Sequence, residues 1–325
     1  MATADPPGRS DPLSFPLSCS ASKKLLEFSN GSSQLLCTTV RQLDVAPKKE
    51  KALIDPQTPS LVLYAFAGGD EVRGRGLREG GARGNPCQLS LLTAAPTEAP
   101  IPDCDTRCLS WRLDDDVCAL RCWSPADREI QLCGHGMLCS GAAWLREGQT
   151  LSQLEMNGLR TAFHADEDKY WIGLPSISCA ACRVPHWIGE FFSVPPWRAA
   201  EAGDDDGYLI LEWPEGFDLR SLSVPRYALH RRTRRALIVT ARVSDPHFDI
   251  QLRYFAPQHG VPEDTATGSA MRVLATYWRN RDLSDQLRAQ QCSHYGGELH
   301  SRIRGDLTWV GGRVTEHAGE SRSGQ

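Results

Sequence analysis

Leu132-Cys133-Gly134-His135-Gly136-Met137 opens a stretch that runs on to Trp144, and a second copy of its pattern begins at Thr267-Gly268-Ser269-Ala270-Met271 and runs on to Trp278. Gly134 and Gly268, Met137 and Met271, and Trp144 and Trp278 are each 134 residues apart. The segments before them also correspond: Leu120-Arg121-Cys122-Trp123-Ser124-Pro125 matches Leu252-Arg253-Tyr254-Phe255-Ala256-Pro257 at an offset of 132. Composition alone does not hold several identities in one register. The pattern predicts an internal duplication, with two β-rich halves each wrapped around one helix and related by a pseudo-two-fold axis. The helices are expected over Met137 to Arg146 and Ala270 to Arg279, where alanines and apolar residues recur at helical spacing after glycine-containing turns.

Outward from these turns the pattern is mostly β. Leu61 to Phe66 reads as the first strand of the folded region, and Leu109 to Leu113 with Val117 to Trp123 reads as a hairpin about Asp114-Asp115-Asp116. Tyr208 to Trp213 and Ala236 to Thr240 are further strands, and His247 to Tyr254 alternates apolar and polar residues with a period of two. Residues 1–58, rich in Pro, Ser, Lys and Thr without sustained periodicity, read as a poorly ordered extension. The first half is expected over 59–165 and the second over 166–316, with the last strands returning to the first half. Residues 317–325 read as a solvated tail.

Composition excludes several classes. Lys plus Arg numbers 36 against 40 Asp plus Glu, a net charge of −4, so the cation surplus of a duplex binder is missing and no nucleic-acid partner is expected. No run approaches the 18 apolar residues of a spanning helix, and no apolar signal segment stands at the start, so a cytoplasmic chain without membrane contact is expected. In that compartment the 12 cysteines are expected to be free thiols. Cys179-Ala-Ala-Cys182 lacks a second pair of the same spacing, and Cys104/Cys108 and Cys118/Cys122 are more loosely spaced, so no metal site is expected.

The duplicated turns carry the chemistry. A helix N-terminus presents unpaired backbone N–H groups and the positive end of the dipole, and glycine lets a ligand approach that backbone closely. Two such ends facing each other would hold a small carboxylate. Cys133 and His135 on the first turn supply a thiol and an imidazole, and Asp264, Thr267 and Ser269 on the second supply a carboxylate and hydroxyls. This inventory suits general acid/base catalysis without a cofactor.

At these residues the sequence resembles the PhzF-like phenazine-biosynthesis proteins. The matching pieces are Gly84-Asn85-Pro86, Leu120 to Pro125, Leu132 to Gly136, Tyr254 to Pro257, Glu263-Asp264, Ala266 to Ala270, Tyr277-Trp278 and Gly296-Gly297-Glu298-Leu299, between about residues 61 and 316. The resemblance implies an α+β fold similar to that of diaminopimelate epimerase, with two pseudo-symmetric β-barrel-like halves each around a central helix, and a homodimer. It implies a cofactor-independent isomerase that shifts a proton within a small carboxylate such as dihydro-hydroxyanthranilate. By position it implies Cys133, His135 and Asp264 as catalytic residues, with Gly134, Gly136, Thr267, Gly268 and Ser269 holding substrate. In the epimerases paired cysteines transfer the proton; Cys133 matches the first, and Thr267 stands where the second would be. The family's general base is a glutamate in a Ser-Glu pair ahead of the hairpin, where this sequence is read as Cys108-Leu109-Ser110-Trp111. The resulting expectation is that Trp111 replaces the carboxylate. It leaves three readings: an isomerase whose base is Cys133 or a nearby aspartate (Asp103 or Asp105), a catalytically silent carboxylate-binding or dimeric partner protein, and a single-thiol dehydratase that uses Cys133 and Thr267.

Overall fold

A computed structural model describes residues 60–69, 82–100 and 105–316. The expected N-terminal extension, the C-terminal tail, Asp103 and most of the Gly68 to Gly84 loop lie outside the described residues. Among the described residues sixteen strands form one continuous sheet that curls around two helices. In chain order the first strands are β1 (Ser60–Ala67), β2 (Asn85–Leu92), β3 (Thr106–Asp114), β4 (Val117–Trp123), the short β5 (Glu129–Ile130), β6 (Gln153–Met156), β7 (Leu159–Asp166) and β8 (Lys169–Pro175). They continue as β9 (Cys179–Cys182), β10 (Arg198–Ala202), β11 (Tyr208–Glu212), β12 (Ala236–Arg242), β13 (Ile250–Phe255), β14 (Gln286–Gln291), β15 (Gly297–Arg304) and β16 (Leu307–Glu316). The helices are α1 (Gly134–Arg146) and α2 (Gly268–Arg279).

The first eight-stranded unit is closed. The order β1-β2-β3-β4-β6-β7-β8-β16 returns on itself because β16 is antiparallel to both β8 and β1. From β16 the sheet continues through β15, β14, β13, β12, β11 and β10 to β9, which ends it. The boundary expected at residue 165/166 falls instead within a hairpin: β8 pairs with β7 and β16 and belongs to the closed barrel. The reason is hydrogen bonding. A barrel removes a free edge only when the last strand is captured, and β8 supplies the edge that β16 closes.

Each helix sits inside its own curl of sheet. Met137, Leu138, Cys139 and Ala142 of α1 and Ala270, Met271, Val273, Leu274 and Trp278 of α2 are fully buried. Small residues bring α1 against the barrel wall: a Cβ at Gly141 would stand 2.3 Å from the Phe163 ring on β7. A buried serine fixes the helix to the hairpin. Ser110 donates to the Ala119 carbonyl and accepts from Ser140 and from the Trp144 indole, at 2.9, 2.6 and 2.9 Å. Among the described residues no helix is long and apolar enough to cross a membrane.

Both helices start earlier than the apolar periodicity predicts, at the glycines themselves. Their N-caps are Cys133 and Thr267, extended residues that make no side-chain capping hydrogen bond.

Candidate active site

The two glycine-led helix starts meet. A Cβ at Gly134 would lie 3.4 Å from Cα of Gly268, and one at Gly268 would lie 3.5 Å from Cα of Gly134. The first intrahelical bonds run from Met137 to Cys133 and from Met271 to Thr267. The N–H groups of residues 134–136 and 268–270 therefore have no acceptor within their helices, and the caps supply none. Two positive dipole ends converge on one wall of a cavity of about 390 Å³. Cys133, Gly134, His135, Asp264, Thr267, Gly268 and Ser269 all line it. Gly136 does not: its open side faces the sulfurs of Cys108, Cys122 and Cys133, at 2.6 to 3.0 Å from the position of a Cβ.

On the first-half side, Cys133 Sγ lies 3.5 Å from His135 Nδ1 and 3.7 Å from Nε2. Hydrogen bonds from the Cys108 and Cys122 thiols, and then the charge of His135, hold the Cys133 thiol well below its usual range against the effect of burial. Burial works to lower His135, but the negative charge and hydrogen bond of Cys133, with Cys87 and Asp264 behind them, raise it to about 9. Both shifts act in the direction of a thiolate beside an imidazolium.

On the second-half side, Asp264 is locked. Its Oδ1 accepts from Asn85 Nδ2 at 2.8 Å and from the Thr265 N–H at 2.9 Å, and its Oδ2 accepts from the Thr267 hydroxyl at 2.6 Å. Burial pushes this carboxyl up, while His135 and the hydrogen bonds from Thr267 and Asn85 pull it back. Asp264 thus organises the turn ahead of the helix. Gln291, fully buried on β14, clamps the same turn. It accepts from the Thr267 N–H at 2.8 Å and donates to the Asp264 carbonyl at 2.7 Å. Beside it Arg253 grips Glu263 with two hydrogen bonds, at 2.7 and 3.0 Å.

Gln291 has no signal in the local sequence pattern, and Asn85 stands in the Gly84-Asn85-Pro86 piece of the resemblance without a site role, because both come from strands distant from the turn in the chain. Asn85 is delivered by Gly84, whose φ of 85° and 2.5 Å approach to the Ala65 carbonyl exclude a side chain. Asn85 also reaches the Ala266 carbonyl at 2.8 Å and stands 3.5 Å from His135 Nδ1. It ties the first half to the turn of the second. Tyr208 and Tyr254, with ring centroids 6.5 Å apart, and Ile130 form an apolar part of the cavity wall.

Trp111 does not stand at the site. It lies in the sixth position of β3, paired with Ala119, while the cavity is lined by Thr106 at the strand's start. Five residues of extended chain separate them by about 16 Å. Strand alternation also sends Thr106, Cys108 and Ser110 inward, so Trp111 faces the other side of the sheet. The residue that precedes Thr106 is Asp105, half-buried at the head of β3. The replacement of a carboxylate by Trp111 is therefore corrected.

Comparison with known proteins agrees with this architecture. A family model described as phenazine biosynthesis-like protein matches residues 209–308. The mouse phenazine biosynthesis-like domain-containing protein 1 is 32% identical over 213 residues, covering 58% of this chain and 70% of that protein. The human phenazine biosynthesis-like domain-containing protein is 47% identical over 213 residues, with the same coverage. This chain belongs to the phenazine biosynthesis-like family. A Vibrio cholerae protein named as an uncharacterized isomerase is 36% identical over 187 residues, and the chain spans 61% of its length. The family's fold extends beyond the residues aligned in sequence. The crystal structure of a PhzF family protein from Enterococcus faecalis superposes with a TM-score of 0.66 at 21% identity, over 80% of this chain and 96% of that one. A Pseudomonas aeruginosa protein described as a predicted epimerase superposes at 0.52 with 17% identity, over 80% and 96%. The fold is thus the diaminopimelate epimerase-like one expected for this phenazine biosynthesis-like protein.

Proposed function

We propose that this family member is an isomerase that shifts a proton within a small carboxylate substrate, without a cofactor. The observation that carries the reading is the meeting of two uncapped helix starts at Gly134 and Gly268 beside Cys133, His135 and Asp264. The substrate carboxylate accepts hydrogen bonds from the first-turn N–H groups of both helices. A group on the first-half side removes a proton from a carbon conjugated with that carboxylate. The electron pair moves into the carboxylate, where the two dipole ends stabilise the added charge. The proton then returns to a different carbon of the same substrate, so nothing is gained or lost.

Cys133 is the base in this reading. It lines the cavity at the head of α1, takes the proton on its sulfur and returns it from there, and the charge of His135 beside it favours the thiolate that begins and ends the cycle. Thr267 occupies the matching place on the second half and is engaged by Asp264 and Gln291, so the second half holds no free acid there. Proton removal and return on a single face suit isomerisation better than racemisation, which needs groups on both faces. The name of the Vibrio cholerae relative is in keeping with this class of reaction.

The test is solvent-deuterium uptake into cyclic and amino-acid-like carboxylates, followed by NMR. The proposal expects exchange with the native chain and its loss in Cys133→Ala and in Asp264→Ala. Exchange untouched by both substitutions would refute the mechanism. Loss in Asp105→Asn with Cys133→Ala intact would move the base to the carboxylate at the head of β3. Ligand-induced thermal shifts without any exchange would instead identify a carboxylate-binding protein that is not an enzyme.

A further inference from the structure

The core of the closed barrel holds a feature of which the proposed isomerisation uses only one member, Cys133. Cys108 on β3 and Cys122 on β4 face each other across the antiparallel ladder, and Cys133 lies beside them at the head of α1. The three sulfurs lie within 4.8 Å of one another, and their residues are 1%, 0% and 3% exposed. Cys87, on the neighbouring strand β2, is fully buried in the same core. None of the cysteines among the described residues is in a disulfide. The strand register makes this cluster, which is why the loose spacing in sequence conceals it.

Three buried thiols in mutual reach match the ligand requirement of a thiophilic cation. With metal–sulfur bonds of about 2.3 Å, the sulfurs of a zinc-type site stand about 3.8–4.0 Å apart. Sulfurs already within 4.8 Å reach that spacing by side-chain adjustments of under about 1 Å. The room for an ion is left by Gly136. A Cβ there would stand 2.6, 2.7 and 3.0 Å from the sulfurs of Cys108, Cys122 and Cys133. Any other residue would push a methyl group into the face of the triad. An ion also has an entry path, since Cys133 lines the cavity and its partners lie directly behind it.

We infer that Cys108, Cys122 and Cys133 form a three-sulfur binding site for a single d10 divalent cation of the zinc and cadmium class. The fourth position is left to water or to an anion arriving through the cavity. On binding, the thiols lose their protons to solvent and their sulfurs bond the ion, so binding releases protons and no redox change takes place. The site shares Cys133 with the isomerase reading, but its test is separate, because it is measured with the metal alone and no substrate.

The experiment uses the reduced full-length chain carrying Cys179→Ser and Cys182→Ser, which removes the competing pair on β9. Titration with cadmium is followed by the sulfur-to-metal charge-transfer absorption, and the saturated sample is examined by X-ray absorption. The expected result is saturation at one equivalent with three sulfur neighbours. Adding Cys108→Ser and Cys122→Ser should weaken binding at least tenfold and abolish the three-sulfur signature, with a cooperative melt showing that the variant is folded. Two or fewer sulfurs around the ion would overturn the inference. So would unchanged binding in the Cys108/Cys122 variant. The sulfur count comes from protein with the triad intact, so it decides the matter even if that variant fails to fold.

Discussion

Replacing Asp264 in two ways separates its shape from its charge. The carboxylate accepts from Asn85, from the Thr265 N–H and from the Thr267 hydroxyl. Asp264→Ala removes all three acceptors at once. Asn85 keeps the Ala266 carbonyl, but the Thr265 N–H and Thr267 hydroxyl lose their partner in a partly enclosed wall. Each unsatisfied donor costs about 1–3 kcal/mol, and water entering from the cavity lowers the sum, so a loss of about 2–4 kcal/mol is expected. Asp264→Asn behaves differently. Its oxygen must face Asn85 and Thr265, which are both donors, and its NH2 then faces the Thr267 hydroxyl, which can rotate and accept. That variant keeps most of the network and should lose only about 1 kcal/mol, chiefly the extra strength of bonds to a charged acceptor. The difference of about 2 kcal/mol corresponds to roughly 4–8 °C in Tm for a domain of this size. Differential scanning calorimetry of the two variants and the native chain reads it directly. Equal melting of Asp264→Ala and Asp264→Asn would show that the carboxylate does not hold the turn.

Three further outcomes follow from the packing. Gln291→Leu fills the same buried space but abandons the Thr267 N–H and the Asp264 carbonyl, so urea unfolding should show a loss of about 2–4 kcal/mol. Gly141→Ala drives a methyl to within 2.3 Å of the Phe163 ring and should destabilise by about 1–3 kcal/mol; Phe163→Leu in the same chain should recover part of that loss, a coupling readable in a double-mutant cycle. The Glu298 carboxyl is held below its usual range; burial opposes this, and the His300 hydrogen bond, the His300 charge, the Gly69 N–H and Arg313 overcome it. A depressed carboxyl adds stability above its unfolded pKa and loses it as pH falls through the folded value. Glu298→Gln should therefore flatten the acid limb of a stability-against-pH curve measured by urea unfolding.

The helix starts were legible in the sequence because a duplication repeats backbone requirements as well as residues. Glycine at 134 and 268 is needed where two helix ends approach to within van der Waals contact, and the 134-residue register preserved that need in both copies. The strands were legible from alternation and apolar runs. What escaped depends on register between distant segments. Asn85 and Gln291 are ordinary strand residues until β2 and β14 bring them to the Asp264 turn. The thiol triad is invisible to spacing because Cys108 meets Cys122 across a ladder while Cys133 comes from the following helix. Trp111 was misplaced for the same reason. A strand has two faces and two ends, and the sequence alone does not say which end opens on a cavity.

The two halves repeat the backbone of the site and not its side chains, and the difference has a physical direction. On the second half the side chains of Asp264 and Thr267 are satisfied by partners within the protein: Asp264 by Asn85, Thr265 and Thr267, and Thr267 by Asp264 and Gln291. Groups saturated in this way hold geometry well and release protons poorly, since any transfer must first break a bond that the interior does not replace. On the first half, Cys133 and His135 contact each other over longer distances, 3.5 Å or more, and share the cavity wall. A thiolate paired with an imidazolium and open to the cavity can exchange a proton with a ligand at little structural expense. Equal backbone donors on both halves with unequal side-chain freedom make one half the clamp and the other the place where a proton can move. The same asymmetry explains why an ion on the thiol triad would act on the first half alone: Cys108 and Cys122 sit behind Cys133, whereas Thr267, in the matching place, offers no sulfur to bind.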